Sequence, residues 1–244
     1  MTAQQEIITQ LQKEILPLQG FRPPSTGAVA LGLGEMERAF PNGCFPVSGL
    51  HEFICDTPEG AAASNGFISA LLTPLMQSGG VALGISTSRK LFPPALKRFG
   101  LVPDRVIFID LKKEQEVLWA MEESLKCEGL AAVVGDIKEL DFTASRRFQL
   151  AIEKSRVTAF VTRYSPRRLN TIASIARWRI TPAASIIEDG MPGTGCPLWN
   201  IELLKVRNGR PGTWQLGWSG GHFVSITDDV APVLQLPGKM RVYA

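Results

Sequence analysis

The sequence has few of the residues on which metal sites and disulfide frameworks depend. Its 244 residues include only two histidines, and four cysteines that stand far apart with no C-x-x-C pair. Neither residue type forms a cluster with the spacing of zinc ligands, so the sequence argues against a zinc site or any other metal site. Scattered cysteines of this kind are typical of free thiols in a reducing compartment, and we expect them to be buried.

Long apolar runs are also missing. No stretch approaches the roughly 18–20 consecutive apolar residues of a membrane-spanning helix. The start, MTAQQEIITQLQKEI, lacks the basic and then apolar segments of a secretory signal. We therefore expect a cytoplasmic protein with no membrane contact. Hydrophobic residues make up 45% of the chain, which is enough to build the core of one large α/β domain or two small ones.

The net charge of +3 is unevenly distributed. Residues 141–180 carry nine basic and two acidic side chains, a local charge of +7 that leaves −4 for the rest of the chain. Such a concentration favours contact with DNA or with an acidic protein partner, although the solvated faces of a helix and a strand edge would also produce it. The side chains predicted to make these contacts are Arg163, Arg167, Arg168 and Arg177.

Residues 1–20 are predicted to form a separate N-terminal element. Apolar residues recur at helical spacing over residues 3–17 with polar residues between them, which predicts an amphipathic helix that ends before Pro17. The helix could pack on the protein's own core or dock on a neighbouring protein. The residues predicted to dock are Ile7, Leu11 and Ile15.

Residues 21–244 are predicted to form one α/β domain. Continuous apolar strands alternate with amphipathic helices, the pattern of a mostly parallel sheet flanked by helices on both faces. The five strands are HEFIC, GVALGIS, VIFIDL, LAAVVGDI and TAFVTRY, and the helices are AAASNGFISALLTPLMQ, PPALKRFG, EQEVLWAMEESLKC and TASRRFQLAIEKSR. After residue 175, four strand-like segments separated by Gly and Pro turns predict antiparallel strands toward the C-terminus.

The segment EFICDTPEGAAASNGF has the order strand, turn and helix in which a phosphate-binding P-loop would lie. In the pattern G-x-x-x-x-G-K-[ST], the lysine that reaches the phosphates falls on Ala61, and the hydroxyl that binds Mg²⁺ falls on Ala62. Backbone N–H groups at a helix start still favour an anion, so weak phosphate binding stays open, whereas efficient phosphoryl transfer is not expected. The degenerate pocket predicted here consists of Cys55, Glu59, Gly60, Ala61, Ala62 and Asp136.

The motif GWSGG, residues 217–221, matches the G-x-S-x-G pattern of serine hydrolases. That pattern requires a helix after the serine and a histidine later in the chain, whereas here a strand-like segment follows and the only later histidine is His222. We therefore predict a turn between two strands.

The order of these segments resembles the RecA-type ATPase core, and in particular the ImuA family, RecA-like accessory proteins of bacterial mutagenic DNA repair. The resemblance runs from about residue 30 to residue 225. Its anchors are GLHEFIC, STSRKLFPPALKRFGLVPDRVIFIDL, LAAVVGDI and LLKVRNGRPGTWQLGW.

The resemblance implies a RecA-like core that has lost its ATP chemistry. The position of the catalytic glutamate falls near Ser86 or Thr87, neither of which can act as a general base in the way a carboxylate does. The Walker-B position falls on Gly135 or Asp136, a register that stays open, and the nucleotide-sensing glutamine falls near Arg163. We therefore expect a protein that is not an enzyme and has no cofactor, with residual nucleotide binding left open.

The resemblance also implies a function and a set of partners. We expect a non-catalytic accessory factor in SOS-induced mutagenic translesion DNA synthesis. Its partners would be an ImuB-like Y-family polymerase homologue and an error-prone C-family DNA polymerase, with RecA and DNA as further candidates. Two alternatives stay open: a SulA-like SOS inhibitor of cell division, and a residual DNA-dependent ATPase or recombinase.

Overall fold

A computed structural model of the protein describes residues 10–11, 31–77, 79–88, 93–186 and 195–225. The strands in these ranges are β1 (Leu50–Cys55), β2 (Val81–Ser86), β3 (Val106–Asp110), β4 (Leu130–Asp136), β5 (Thr158–Tyr164), β6 (Ala176–Ile186), β7 (Cys196–Val206), β8 (Gly212–Ser219) and β9 (His222–Ser225). The helices are α1 (Pro58–Leu75), α2 (Pro93–Leu96), α3 (Glu114–Ser124) and α4 (Phe142–Ser155), with 3₁₀ turns at Gly34–Ala39, Lys97–Phe99 and Pro103–Arg105.

The described strands form one sheet of nine strands in the order β3-β2-β4-β5-β1-β6-β7-β8-β9. Pairing is parallel from β3 to β6 and antiparallel from β6 to β9. The predicted class is therefore confirmed: an α/β protein with a mostly parallel sheet flanked by helices and antiparallel strands toward the C-terminus. The GWSGG segment is also a turn, since Ser219 of β8 pairs with His222 of β9 across it.

The two faces of the sheet build two different cores. On the face covered by α1 the core is aromatic, with Phe53 of β1 and Phe67 of α1 packed against Trp178 of β6. On the face covered by α3 and α4 the core is largely aliphatic, with Leu50 of β1 in the same cluster as Val161 of β5. Both follow from the alternation of side chains along a strand, which sends successive residues to opposite faces.

His51 is a fully buried member of the aromatic core. Its Nδ1 accepts a hydrogen bond from Trp178 Nε1 at 3.3 Å, its Nε2 donates to the Pro46 carbonyl at 2.9 Å, and its ring stacks on Phe45 at 4.4 Å. Both ring nitrogens are thus satisfied in the neutral tautomer. Burial disfavours the charged form and lowers the pKa of His51 from 6.5 to about 4.

The cysteines differ from one another in exposure. All four are free thiols, but Cys55 alone is buried, Cys44 and Cys196 are half-buried, and Cys127 is exposed. The prediction that the cysteines are buried is therefore wrong for Cys127. Cys127 lies just after α3, in the connection to β4, where its side chain meets solvent.

The predicted N-terminal helix lies almost wholly outside the described residues. Gln10 and Leu11 are helical, and Leu11 is half exposed, while Ile7 and Ile15 fall outside the described ranges. None of the helices in the described part of the chain combines the length and apolar character that crossing a membrane requires.

Candidate functional site

The connection between β1 and α1 is a two-residue turn, Asp56 and Thr57. Thr57 has an extended backbone and caps the helix: its Oγ1 accepts from the Gly60 N–H at 3.1 Å and its carbonyl accepts from the Ala61 N–H at 3.0 Å. Pro58, at the first helical position, lacks the N–H that would otherwise need a partner. The helix therefore begins before Ala61. Residues 59–62, predicted to belong to a phosphate-binding loop, lie instead at the start of α1.

One side of this turn packs against β6. A Cβ atom at Gly60 would lie 3.4 Å from the Ile180 carbonyl of β6, an ordinary van der Waals distance, so this end of α1 lies directly against that strand. Ala61 is buried, whereas Glu59 and Ala62 are exposed. The Asp56 carboxylate is 3.1 Å from Arg179 Nε, and Arg179 also pairs with Glu202 at 3.0 Å. The described residues leave no loop here that could wrap around a phosphate.

A small cleft lies at the carboxyl ends of β2 and β4, lined by Asn65, Ser86 and Asp136 among others. It encloses about 20 Å³, which is room for one water. Ligand pockets are typically hundreds of Å³. Thr162 Oγ1 donates a hydrogen bond to Asp136 Oδ1 beside it. Burial and the nearby Asp136 charge raise the pKa of Tyr164, whose hydroxyl accepts from Asn65 Nδ2 at 3.5 Å.

The two residues proposed for the Walker-B position face opposite sides of the sheet. Asp136 lines the small cleft, on the side of α1. Gly135 faces α3, where a Cβ atom would lie 2.0 Å from Met121 Sδ. In the described ranges, no three His, Cys, Asp or Glu side chains come together as metal ligands would.

A buried ion cluster lies on the other face of β1. The Glu52 carboxylate is 2.7 Å from Arg163 Nη1 of β5 and 2.6 Å from Arg177 Nε of β6. The side chains of Glu52 and Arg163 have no exposed area, and that of Arg177 is 13% exposed. The cluster forms because β1 lies between β5 and β6, which places all three side chains on one face of the sheet.

The arginines predicted to contact DNA or an acidic partner therefore differ in their exposure to solvent. Arg163 and Arg177 lie inside the protein, paired with Glu52, and only Arg167 and Arg168 are exposed. Sequence reasoning missed Glu52, although a signal was present. A glutamate inside an apolar strand that is covered on both faces requires a buried cation.

The same arginines hold the segments that follow β4 and β5, which we call the β4 loop (residues 137–141) and the β5 loop (residues 165–175). Arg163 donates to the Lys138 carbonyl of the β4 loop and to the Arg168 carbonyl of the β5 loop, both at 3.4 Å. Arg177 Nη2 donates to the Asn170 carbonyl at 2.6 Å. The buried cluster thus fixes the backbone of both loops.

No family model matches the chain. The chain is, however, 34% identical over 209 residues to Protein ImuA of Caulobacter vibrioides strain NA1000 / CB15N, and equally similar to Protein ImuA of Caulobacter vibrioides strain ATCC 19089 / CIP 103742 / CB 15. Each match covers 81% of this chain and 85% of the relative. At this identity and coverage, the chain belongs to the ImuA family.

Proposed function

We propose that the protein is a non-catalytic, RecA-like accessory factor in SOS-induced mutagenic translesion DNA synthesis, acting in the cytoplasm through protein–protein contacts. The family membership supports a role in the mutagenic DNA damage response. The closed β1–α1 turn is the observation that carries the non-catalytic part.

Catalysis of phosphoryl transfer depends on placed cations and a metal around the phosphates. At the β1–α1 turn the helix starts at Pro58, a threonine side chain caps it, and Gly60 packs on the Ile180 carbonyl. The nearby cleft has room for a water and not for a nucleotide. The protein's contribution to DNA synthesis is then to bring partners together.

The partners we propose are an ImuB-like Y-family polymerase homologue and an error-prone C-family DNA polymerase, with RecA and DNA as further candidates. The N-terminal segment is one candidate docking element, through Ile7, Leu11 and Ile15. Leu11 is helical and half exposed, as a docking residue must be. The exposed Arg167 and Arg168 are candidate contacts to an acidic surface or to DNA.

The test is co-purification of the full chain with the ImuB-like polymerase homologue of the same organism. We expect a stable complex that Leu11→Asp weakens while the circular dichroism spectrum stays unchanged. The matched control is Gln10→Asp, which places the same charge one residue away. A chain lacking residues 1–17 that binds as tightly as the full chain would exclude the N-terminal segment as a docking element.

An ATPase assay of the same preparation, with and without single-stranded DNA, tests the non-catalytic part. We expect no turnover above that of a buffer blank. Turnover that Asp136→Ala abolishes would instead establish a DNA-dependent ATPase. Binding to a tubulin-like division protein in place of the polymerase homologue would establish a SulA-like inhibitor.

A further inference from the structure

Two large apolar side chains, Phe142 and Leu169, are unusually exposed at the β4 and β5 loops. Phe142, the first residue of α4, is 55% exposed, and Leu169 of the β5 loop is 50% exposed. The loops run side by side: the Arg167 N–H donates to Glu139 Oε1 at 3.0 Å, and Asn170 Nδ2 donates to the Leu140 carbonyl at 2.7 Å. Leu169 therefore lies between Arg167 and Asn170, which hydrogen-bond to residues 139–140 just before Phe142.

Basic side chains surround these two residues. Arg167 and Arg168 immediately precede Leu169 and are exposed. Arg146 is exposed and lies one helical turn after Phe142, on the same face of α4. Together these five residues, Phe142, Arg146, Arg167, Arg168 and Leu169, form what we call the loop patch.

The nearby carboxylates are already engaged within the protein. Glu139 accepts the Arg167 N–H and lies 3.6 Å from Arg163 Nη2, and Asp141 caps α4 by accepting the Ala144 N–H at 2.6 Å. Both acidic residues are exposed, but each carboxylate is bonded within the protein, and the three arginines of the loop patch are exposed as well. The loop patch thus combines two exposed apolar side chains, which we take as its apolar centre, with three exposed arginines, which we take as its positive rim.

The backbone under the loop patch is held in place before any partner binds. Arg163 and Arg177 bond to the loop carbonyls from the buried cluster, and the Ala173 N–H donates to Ser145 Oγ of α4 at 3.0 Å. A partner that docks here does not have to order these loops, which lowers the entropic cost of binding. Such pre-organised surfaces are suited to protein recognition.

We propose that the loop patch is a docking site for an acidic segment of a protein partner. Phe142 and Leu169 would pack against apolar side chains of that segment, and the rim arginines would pair with its carboxylates. This proposal rests on the proposed function, which supplies the ImuB-like polymerase homologue as the partner to test.

The composition of the patch favours a protein over DNA. An apolar centre with a charged rim is the anatomy of a protein–protein interface. A surface that follows a phosphate backbone uses a row of cations without carboxylates between them. Here the exposed carboxylates of Glu139 and Asp141 lie beside the loop patch, and two of the four arginines expected to form such a row pair with Glu52 inside the protein.

The experiment measures binding of the purified full chain to the ImuB-like polymerase homologue by calorimetry, with a single-stranded oligonucleotide as a second probe. The double variant Phe142→Asp/Leu169→Asp should weaken protein binding roughly tenfold or more, because charge then replaces the apolar centre. The double variant Arg167→Glu/Arg168→Glu should also weaken it and should remove most of its salt dependence. Val102→Asp, at an equally exposed residue before β3, is the control and should change nothing.

The outcomes separate the two proposals. If the unaltered chain binds the polymerase homologue and both double variants bind it equally well, the loop patch is not the docking site, and the proposed function stands. If the unaltered chain does not bind, the proposed partner is wrong and the docking site falls with it. If both double variants lose oligonucleotide binding alone, the patch is a DNA site and the proposal is overturned. Unchanged circular dichroism and melting temperature confirm that each variant is folded, and the arginine pair remains informative if the aspartate pair does not fold.

Discussion

Two regions at the carboxyl-terminal edge of the same parallel sheet differ in structure. One is a closed turn, and the other is a pair of loops with exposed side chains. At the β1–α1 turn, two residues join the strand to the helix, Thr57 caps the helix, and Gly60 lies against the Ile180 carbonyl. At the β4 and β5 loops, the Arg163 side chain pairs with buried Glu52 and donates to the Arg168 carbonyl of the β5 loop, in which Leu169 is exposed. Ligands of open α/β sheets bind at this edge. The comparison teaches that such an edge can be closed at the end of one strand and still present a surface at the ends of others.

The largest effect should come from breaking the ion cluster beneath the loops. Arg163→Ala leaves Glu52 with one cationic partner in a site without solvent access, so the free energy of unfolding should fall by about 3–5 kcal/mol. Urea denaturation measures this. The control is Arg147→Ala, which removes an exposed pair with Glu122 and should cost roughly 0–1 kcal/mol. Equal losses for the two variants would show that the buried cluster does not hold the loops.

The next largest effect concerns β1, the strand that the two regions share. His51 has a folded pKa of about 4 and an ordinary pKa of 6.5. Above pH 6.5 both states are neutral; as the pH falls toward 4 the unfolded chain binds a proton that the folded chain does not. Stability should therefore drop by roughly 3 kcal/mol over that interval.

Urea denaturation between pH 7 and pH 4 measures the histidine effect. His51→Phe, which keeps a ring in the aromatic core, should have a flatter pH profile than the unaltered protein. His222 is exposed, so His222→Gln should keep the original profile. A His51→Phe variant as pH-sensitive as the unaltered protein would assign the acid sensitivity to other groups.

A smaller effect is expected at the β1–α1 turn. Thr57→Ala removes the side-chain acceptor for the Gly60 N–H and should lower the free energy of unfolding by about 1 kcal/mol. Thr57→Ser keeps a hydroxyl at the same position and should restore most of the loss. If the serine variant is as unstable as the alanine variant, the threonine methyl group, and not the cap, matters at this turn.

The smallest effect should follow from introducing the two side chains that a P-loop would carry at this turn. The double variant Ala61→Lys/Ala62→Thr supplies the lysine and the hydroxyl, yet we expect no detectable ATP binding by calorimetry. Ala61 is buried in the first helical turn, and the two residues of the turn cannot wrap a triphosphate. Measurable ATP binding by this variant would show that the turn opens, and that only the identity of these two side chains prevents ATP binding.

The sequence predicted the strands well because apolar runs bounded by turns are local signals. All nine strands are readable in this way, but the boundary between the parallel and antiparallel sets is not. The segment of β6 is predicted among the antiparallel strands, whereas β6 pairs in parallel with β1 and is antiparallel only to β7. The P-loop pattern predicts a helix that starts at Ala61, three residues after the observed start of α1 at Pro58. The local signals, a threonine followed by proline, predict a helix beginning at Pro58.

The sequence could not show which of the arginines are buried and which are exposed. Arg163 and Arg168 are both basic residues near the end of one strand, and only the burial of Glu52 separates their roles. That burial depends on which strands flank β1, a tertiary property that local periodicity does not contain. For the same reason, the sequence does not show that Phe142 and Leu169 are exposed. An apolar residue is predicted to lie in the core unless its spatial neighbours are known.

The position of β1 between β5 and β6 also governs when the protein can fold. Glu52 is 111 residues from Arg163 and 125 residues from Arg177 along the chain. During synthesis, β1 must wait for both partners to leave the ribosome, and closing such long loops slows folding. A nascent chain that ends before residue 177 would carry a carboxylate that lacks one of its two arginine partners and a central strand without its second neighbour. The parallel sheet is therefore expected to complete its folding only after β6 has been synthesised, and until then its apolar strands are exposed and prone to aggregate.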